Sequence, residues 1–169
     1  MAAKDVKQFL LEIKFQTQGK IKGSSTKGQG NSNSSHGLPC HSFNYEVETQ
    51  YDAASGLPTG KRNHKRVTIV REVDSASPLL LHACATNEGF TSATLSFSRP
   101  SKGSGKETVY QTIELTNGAI TGVRLTTPRL GKNLGAIAHG SKLESITLDY
   151  EELTVNGLKG GIVPNSLIG

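Results

Sequence analysis

The sequence predicts a mainly β protein with one short α-helix, and two observations carry this prediction. Apolar and polar residues alternate with a period of two in several segments, as they do in strands that bury one face. The composition agrees, because only 34% of the residues are hydrophobic and 19 are glycine, which suits half-solvated sheets joined by long loops. A length of 169 residues is typical of one domain, so we expect a single domain over residues 1–169.

The alternation predicts six strands. Their apolar faces are Phe9, Leu11, Ile13 and Phe15; Phe43, Tyr45, Val47, Thr49 and Tyr51; Val67, Ile69 and Val73, interrupted by Arg71; Ala93, Leu95 and Phe97; Val109, Ile113 and Leu115; and Ile146, Leu148 and Tyr150. Asn117-Gly118 favours a two-residue hairpin turn, so residues 108–116 and 119–127 are expected to pair with each other. The parity change after Tyr150 predicts either a β-bulge at Glu151–Glu152 or a strand that ends at Tyr150.

One segment reads as a helix. Ser77 is expected to be the N-cap and Pro78 the first helical residue. The apolar stripe that follows comprises Leu79, Leu80, Ala83 and Cys84, and Gly89 is the expected end. Residues 19–37 are rich in glycine and serine and predict a flexible loop, and glycines in residues 156–169 predict an irregular tail.

Residues 52–64 predict an extended loop between two strands. Long loops in compact domains are usually functional or disordered. This loop combines an apolar tip with a cluster of basic residues, so we interpret it as a contact arm whose charges fix the register of an interface. The residues expected at this contact surface are Asp52, Leu57, Pro58, Thr59, Gly60, Lys61, Arg62 and His64.

Motifs for catalysis, cofactors or metals fail on their spacing. Cys40 and His41, with His36 nearby, match no metal-ligand pattern, and Cys-X2-Cys is missing. The run Gly56–Arg62 is one residue short of a phosphate-binding loop and ends in arginine where that loop needs serine or threonine. We therefore expect a structural protein rather than an enzyme, with no catalytic, cofactor or metal site and with both cysteines, Cys40 and Cys84, as free thiols.

The charge is +5 with a pI of about 9.3, which raises the question of nucleic acid. Basic residues are scattered apart from residues 61–66, and aromatics are 5% with no tryptophan, so a base-stacking surface is poorly supplied. We therefore do not expect nucleic acid as a partner. No segment approaches the roughly 18 apolar residues of a membrane helix, and charges through residues 4–12 argue against a signal peptide. We expect a cytoplasmic chain with no membrane partner.

Three consecutive stretches carry a family resemblance: Gly60-Lys61-Arg62-Asn63-His64-Lys65, then residues 67–74, and Ala76-Ser77-Pro78-Leu79-Leu80-Leu81. Together they resemble the haemolysin-coregulated protein (Hcp) family, the tube proteins of bacterial type VI secretion. The likeness extends from Phe9 to about Val155. It departs from the family pattern at Arg66, where proline is usual, in the longer loop 19–37, and in a tail without tryptophan.

The resemblance implies a tail-tube-like fold, in which two antiparallel sheets close into a β-barrel with the helix on its flank. It also implies homohexameric rings that stack into a tube inside sheath proteins, with residues 52–64 reaching the neighbouring subunit or the next ring. A VgrG-type spike protein at the tip, effector proteins as cargo, and secretion through the type VI apparatus are implied as well. Two alternatives stay open. The chain could be a tail tube protein of a phage-like or extracellular contractile particle, or a monomeric β-sandwich binding module.

Overall fold

The computed structural model describes residues 9–23, 37–127, 142–157 and 160–164. Within these ranges the elements are β1 (Phe9–Phe15), β2 (Gly19–Lys20), β3 (Leu38–Cys40), β4 (Ser42–Asn44), β5 (Val47–Tyr51), β6 (Pro58–His64), β7 (Val67–Glu72), α1 (Ser77–Ala85), β8 (Gly89–Pro100), β9 (Glu107–Thr126), β10 (Leu143–Gly157) and β11 (Gly160–Pro164). The predicted mainly β class with one short helix is confirmed. Helix α1 is the one helix among the described residues, and it is too short to cross a membrane.

Nine strands form one antiparallel main sheet in the order β2-β1-β8-β9-β10-β7-β4, with β3 also paired to β1 and β11 to β10. The strands β5 and β6 form a separate two-stranded sheet. The two margins of the main sheet are joined by the chain itself, because β3 pairs with β1 while β4 pairs with β7. Between them His41 donates its backbone N–H to the carbonyl of Val70 at 2.8 Å. The expected barrel is thus not closed by a continuous hydrogen-bond ladder.

The hydrophobic core lies under one face of the main sheet. The predicted inward faces of β1, β7 and β8 are confirmed, since Leu11, Ile69 and Leu95 are all fully buried. Helix α1 covers part of this face with Leu80 and Ala83. Non-polar area removed from water at this scale is the main favourable contribution to folding.

The predicted hairpin at Asn117-Gly118 is wrong. β9 runs through both residues without turning, and Gly118 lies opposite Phe90 of β8 and Tyr150 of β10 at the same time. Asn117 does have a positive φ of 49°, but the register of β9 against both neighbouring strands is the same on either side of it. The Cβ of any other residue at position 118 would overlap the backbone carbonyl of Asp149, so the glycine serves close strand approach.

Neither alternative for the last strand holds. β10 continues past Tyr150 to Gly157, and its register shift against β9 lies between Thr147 and Leu148, not at Glu151–Glu152. The tail is also more regular than expected, because the backbone of β11 pairs with β10. Residues 165–169 lie outside the described residues. So do residues 24–36 of the predicted flexible loop, whose first two residues form β2.

The predicted strand over residues 43–51 is divided in two. β4 belongs to the main sheet and β5 to the separate hairpin. Val47 and Tyr51 are consequently 46% and 64% exposed, although the alternation indicated that they share a buried face. Alternation shows that a strand has two unlike faces, but not whether the apolar face meets the core of the same molecule.

The start of helix α1 also differs from the prediction. Ala76 is in the N-cap position and Ser77 is the first helical residue. The Ser77 hydroxyl accepts the backbone N–H of Asp74 at 2.9 Å and donates to Oε1 of Glu144 at 3.0 Å. Leu79 is 40% exposed, outside the buried stripe, and Gly89 begins β8 instead of ending the helix.

Arg71 interrupts the apolar face of β7 because its charge is paired inside the protein. It lies opposite Glu144 of β10 and forms an ion pair with it, and its Nη2 atom is 2.7 Å from Oδ1 of Asp74. Arg71 and Glu144 are both almost fully buried. Burial lowers the pKa of Arg71, but the two carboxylates outweigh it and raise that pKa. This cluster joins β7, β10 and the start of α1.

A projecting hairpin as the candidate interaction site

Residues 47–64 form a hairpin that we call the arm. Its strands pair from Val47 opposite His64 to Tyr51 opposite Pro58, with a register shift between Thr49 and Tyr51. The extended loop expected over residues 52–64 is therefore a turn followed by strand β6. Alternation did not predict strand β6, because its residues are mostly polar and include Gly60, which has a φ of 80°.

Asp52 organises the turn at the tip of the arm. Its backbone N–H donates to Leu57 at 2.9 Å, and its carbonyl accepts from Gly56 at 2.8 Å. Its carboxylate accepts the backbone N–H of Ala54 at 3.1 Å and the hydroxyl of Ser55 at 2.8 Å. These bonds to the charged form, the Ala54 bond first, lower the pKa of Asp52. Asp52 therefore shapes the tip, and its charge is already engaged within the turn.

The arm exposes large apolar side chains. Val47 is 46% exposed, Tyr51 64% and Leu57 65%. In the described part of the chain, β5 and β6 pair only with each other, so each keeps an outer edge of backbone N–H and C=O groups. Exposed apolar groups beside open strand edges are typical of surfaces that bind another protein.

The two strands of the arm carry opposite charge. Glu48 lies on β5 next to Glu46, whereas Lys61 and Arg62 lie on β6. Nζ of Lys65 is 3.2 Å from Oε2 of Glu48. The hydrogen bond from Lys65 is the main cause that lowers the pKa of Glu48, while the neighbouring Glu48 raises the pKa of Glu46. These groups are solvent-exposed, so the ion pair contributes little to the stability of the arm.

His64 differs from the other predicted interface residues because it faces inward. Its Nδ1 atom is 2.8 Å from the hydroxyl of Tyr45, and the two rings stack with centroids 6.4 Å apart. Pro58, Thr59, Gly60, Lys61 and Arg62 are exposed, as expected. The sequence interpretation did not include Val47 and Tyr51, because the alternation over residues 43–51 predicted that both would be buried.

The described residues contain no group of three or more His, Cys, Asp or Glu that could hold a metal ion. His36 lies outside them. His41 contacts Glu72, with Nε2 3.3 Å from Oε1. The thiols of Cys40 and Cys84 are free, and burial raises the pKa of Cys40 to about 12, which keeps it a thiol and suppresses its nucleophilicity at neutral pH.

A mainly antiparallel β chain with an exposed, apolar-tipped hairpin has the surface features of a protein that binds other proteins. The family model described as "Type VI secretion system effector, Hcp" matches residues 12–156, and the chain belongs to this family. The "Major exported protein" of Pseudomonas aeruginosa is 42% identical over 71 residues, which are 42% of this chain and 41% of that relative. The match therefore spans less than half of that relative's length.

Solved structures agree with the family assignment. A structure of an Hcp protein aligns with a TM-score of 0.79 at 21% identity, covering 94% of this chain and 96% of the other. A doubly substituted Hcp1 from E. coli EAEC 042 gives 0.78 at 23% identity, covering 94% and 97%. The secreted protein Hcp3 from Pseudomonas aeruginosa gives 0.69 at 23%, covering 93% and 97%. At these identities the likeness concerns the fold alone, and it confirms a mainly β fold with antiparallel sheets that this chain shares with Hcp proteins.

Proposed function

We propose that this chain is the repeating subunit of a type VI secretion tube. In this proposal six copies close head to tail into a ring, and rings stack into a tube. The observation that carries it is the arm, which presents Tyr51, Leu57 and two open strand edges to the outside. A closed ring needs two different complementary surfaces on each subunit. A projecting hairpin supplies one of them.

The proposed partners are those expected of a tube subunit in this family. The subunit would be made in the cytoplasm, assemble within sheath proteins, meet a VgrG-type spike protein at the tip and carry effector proteins in the pore. It would leave the cell through the type VI apparatus, in keeping with the word "exported" in the name of the Pseudomonas relative. In this proposal the protein acts by assembly, and catalysis has no part in it.

The arm is tested by replacing both apolar tip residues in the full chain with serine, Tyr51→Ser and Leu57→Ser. Truncating apolar anchors at the centre of an interface commonly costs more than about tenfold in affinity. We expect the concentration for half-maximal ring formation to rise at least about tenfold, as measured by native mass spectrometry and negative-stain imaging.

Leu125→Ser is the matched control, because Leu125 is 59% exposed but lies on β9 of the main sheet. It should assemble like the unsubstituted chain. An unsubstituted chain that stays monomeric at high concentration would exclude the tube and favour a monomeric binding module. Rings that form equally well with and without the tip residues would exclude the arm as the contact.

A further inference from the structure

The arm joins the main sheet at a break in the ladder. Asn44 pairs with Thr68 in the main sheet, and Val47 pairs with His64 in the arm. Three positions thus separate Asn44 from Val47 on one side of the break, whereas four separate His64 from Thr68 on the other. Such an extra residue bends a strand pair, as in a β-bulge. Backbone pairing alone therefore leaves the direction of the arm poorly fixed.

Three aromatic rings meet at this break, and each comes from a different part of the chain. Tyr45 lies in the first connection, His64 ends β6, and Tyr150 belongs to β10 of the main sheet. The ring of Tyr45 stacks on His64 at 6.4 Å and meets Tyr150 edge-on at 6.5 Å. Ring pairs of this kind contribute beyond the area that they bury. We call these three residues the junction.

Hydrogen bonds complete the junction. The hydroxyl of Tyr45 is 2.8 Å from Nδ1 of His64. The hydroxyl of Tyr150 donates to the carbonyl of Lys65 at 3.0 Å, and the N–H of Lys65 donates to the carbonyl of Glu46 at 2.9 Å. The Tyr150 hydroxyl on the main sheet thereby holds the connection that contains Lys65, and Lys65 in turn holds the connection that contains Glu46.

The tyrosines are suited to this role at neutral pH. Burial raises the pKa of both Tyr150 and Tyr45. Both therefore keep the proton that a hydrogen bond needs. The nearby ion pair of Arg66 with Asp149 spans 3.7 Å between groups that are more than half exposed, so it adds little to the junction.

We infer that the junction fixes the direction of the arm on the isolated subunit, with the Tyr150 hydroxyl as the main positioning group. Its consequence for assembly rests on the proposed function of the arm. An arm that already points in the right direction loses less conformational entropy on binding, which raises affinity without adding a contact.

The test is Tyr150→Phe in the full chain, which removes the hydroxyl and keeps the ring. Amide hydrogen exchange is measured at a concentration where the chain is monomeric. We expect exchange in β5 and β6 to accelerate about 2- to 10-fold, the effect of one neutral hydrogen bond, while exchange in β9 is unchanged. Tyr45→Phe should act in the same direction.

Tyr110→Phe is the matched control, since Tyr110 lies on β9 beneath Arg99, 5.3 Å from its ring centroid, away from the junction. Ring formation should also weaken about 2- to 10-fold in Tyr150→Phe but not in Tyr110→Phe. Unchanged exchange in β5 and β6 would overturn the junction as a positioning device, and faster exchange with unchanged assembly would overturn its role in affinity. If the unsubstituted chain forms no rings, the proposed function fails, and the exchange rates alone decide the inference.

Discussion

Gly118 occupies a crowded point of the main sheet. A Cβ atom there would overlap the carbonyl of Asp149 and lie 2.5 Å from Cζ of Phe90. Phe90 is fully buried and opposite Gly118 in the neighbouring strand. Its ring fills the space that a side chain at position 118 would otherwise take, so glycine at this position is a packing requirement.

We expect Gly118→Ala to lower the free energy of unfolding by at least about 2 kcal/mol, because overpacking a core displaces backbone or neighbouring rings. Gly122→Ala in the same strand is the control, since an added Cβ there first meets Thr147 at 3.8 Å, an ordinary contact. Urea unfolding of the two variants makes the comparison. Equal stabilities would show that the crowding around Gly118 relaxes at no cost.

The same position shows what a sequence can and cannot predict about a residue. Asn-Gly is compatible with a tight turn and also with close strand approach, and the choice depends on strands 28 and 32 residues away, at Phe90 and Tyr150. The charge of Arg71 poses the same difficulty, because its partner Glu144 is 73 residues away. Local patterns contain no information about such partners.

At the scale of elements, alternation predicted the strands that line the core. β1, β7 and β8 bury one face against their own molecule, so period-two patterning was a sufficient guide. It was insufficient for β5, whose apolar residues are exposed on the arm. The candidate site was found through its exposed Leu57 and basic residues, whereas the junction formed by Tyr45, His64 and Tyr150 depends on contacts across the fold.

The turn between β1 and β2 is tied to the residues after α1 by Glu88. Its Oε1 accepts the backbone N–H groups of Thr17 at 2.7 Å and Gln18 at 2.8 Å, and its Oε2 accepts the side-chain amide of Gln18 at 2.8 Å. The bond from the Gln18 backbone is the main cause that lowers the pKa of Glu88. The lowered pKa means that the ionised carboxylate holds the turn.

Because the pKa of Glu88 is lower in the folded chain than in the unfolded one, its stabilising effect is present above about pH 4.3 and is lost as the pH falls through the folded value. We expect Glu88→Ala to accelerate exchange of the Thr17 and Gln18 amides at pH 7 and to leave exchange in β10 unchanged. NMR-detected hydrogen exchange measures both. Protection of Thr17 and Gln18 that persists without the carboxylate would contradict this role.

At the scale of the whole molecule, the segment from Leu38 to Asn44 decides how the sheet is enclosed. It leaves one margin of the main sheet as β3 and joins the other as β4. Cys40 lies at the end of β3, opposite Phe9, and is fully buried. Burial raises the pKa of its thiol to about 12, although the nearby charge of Arg71 opposes this. The pKa of Cys40 therefore depends on whether the two margins of the main sheet stay joined.

The sign of the resulting pH dependence follows from the two pKa values. In the unfolded chain the thiol ionises near pH 8.5–9, whereas in the folded chain it stays protonated until about pH 12. Between these limits the folded state binds more protons. The stability that Cys40 contributes is therefore complete below about pH 8.5 and is lost as the pH rises, by at most about 1.4 kcal/mol per pH unit.

We expect Cys40→Ala to remove this slope of the free energy of unfolding against pH, as measured by urea unfolding between pH 8 and 10. Cys84→Ala, at a partly exposed thiol, should retain the slope. A slope that is the same in Cys40→Ala and in the unsubstituted chain would mean that opening of the enclosed sheet exposes Cys40 before the protein unfolds.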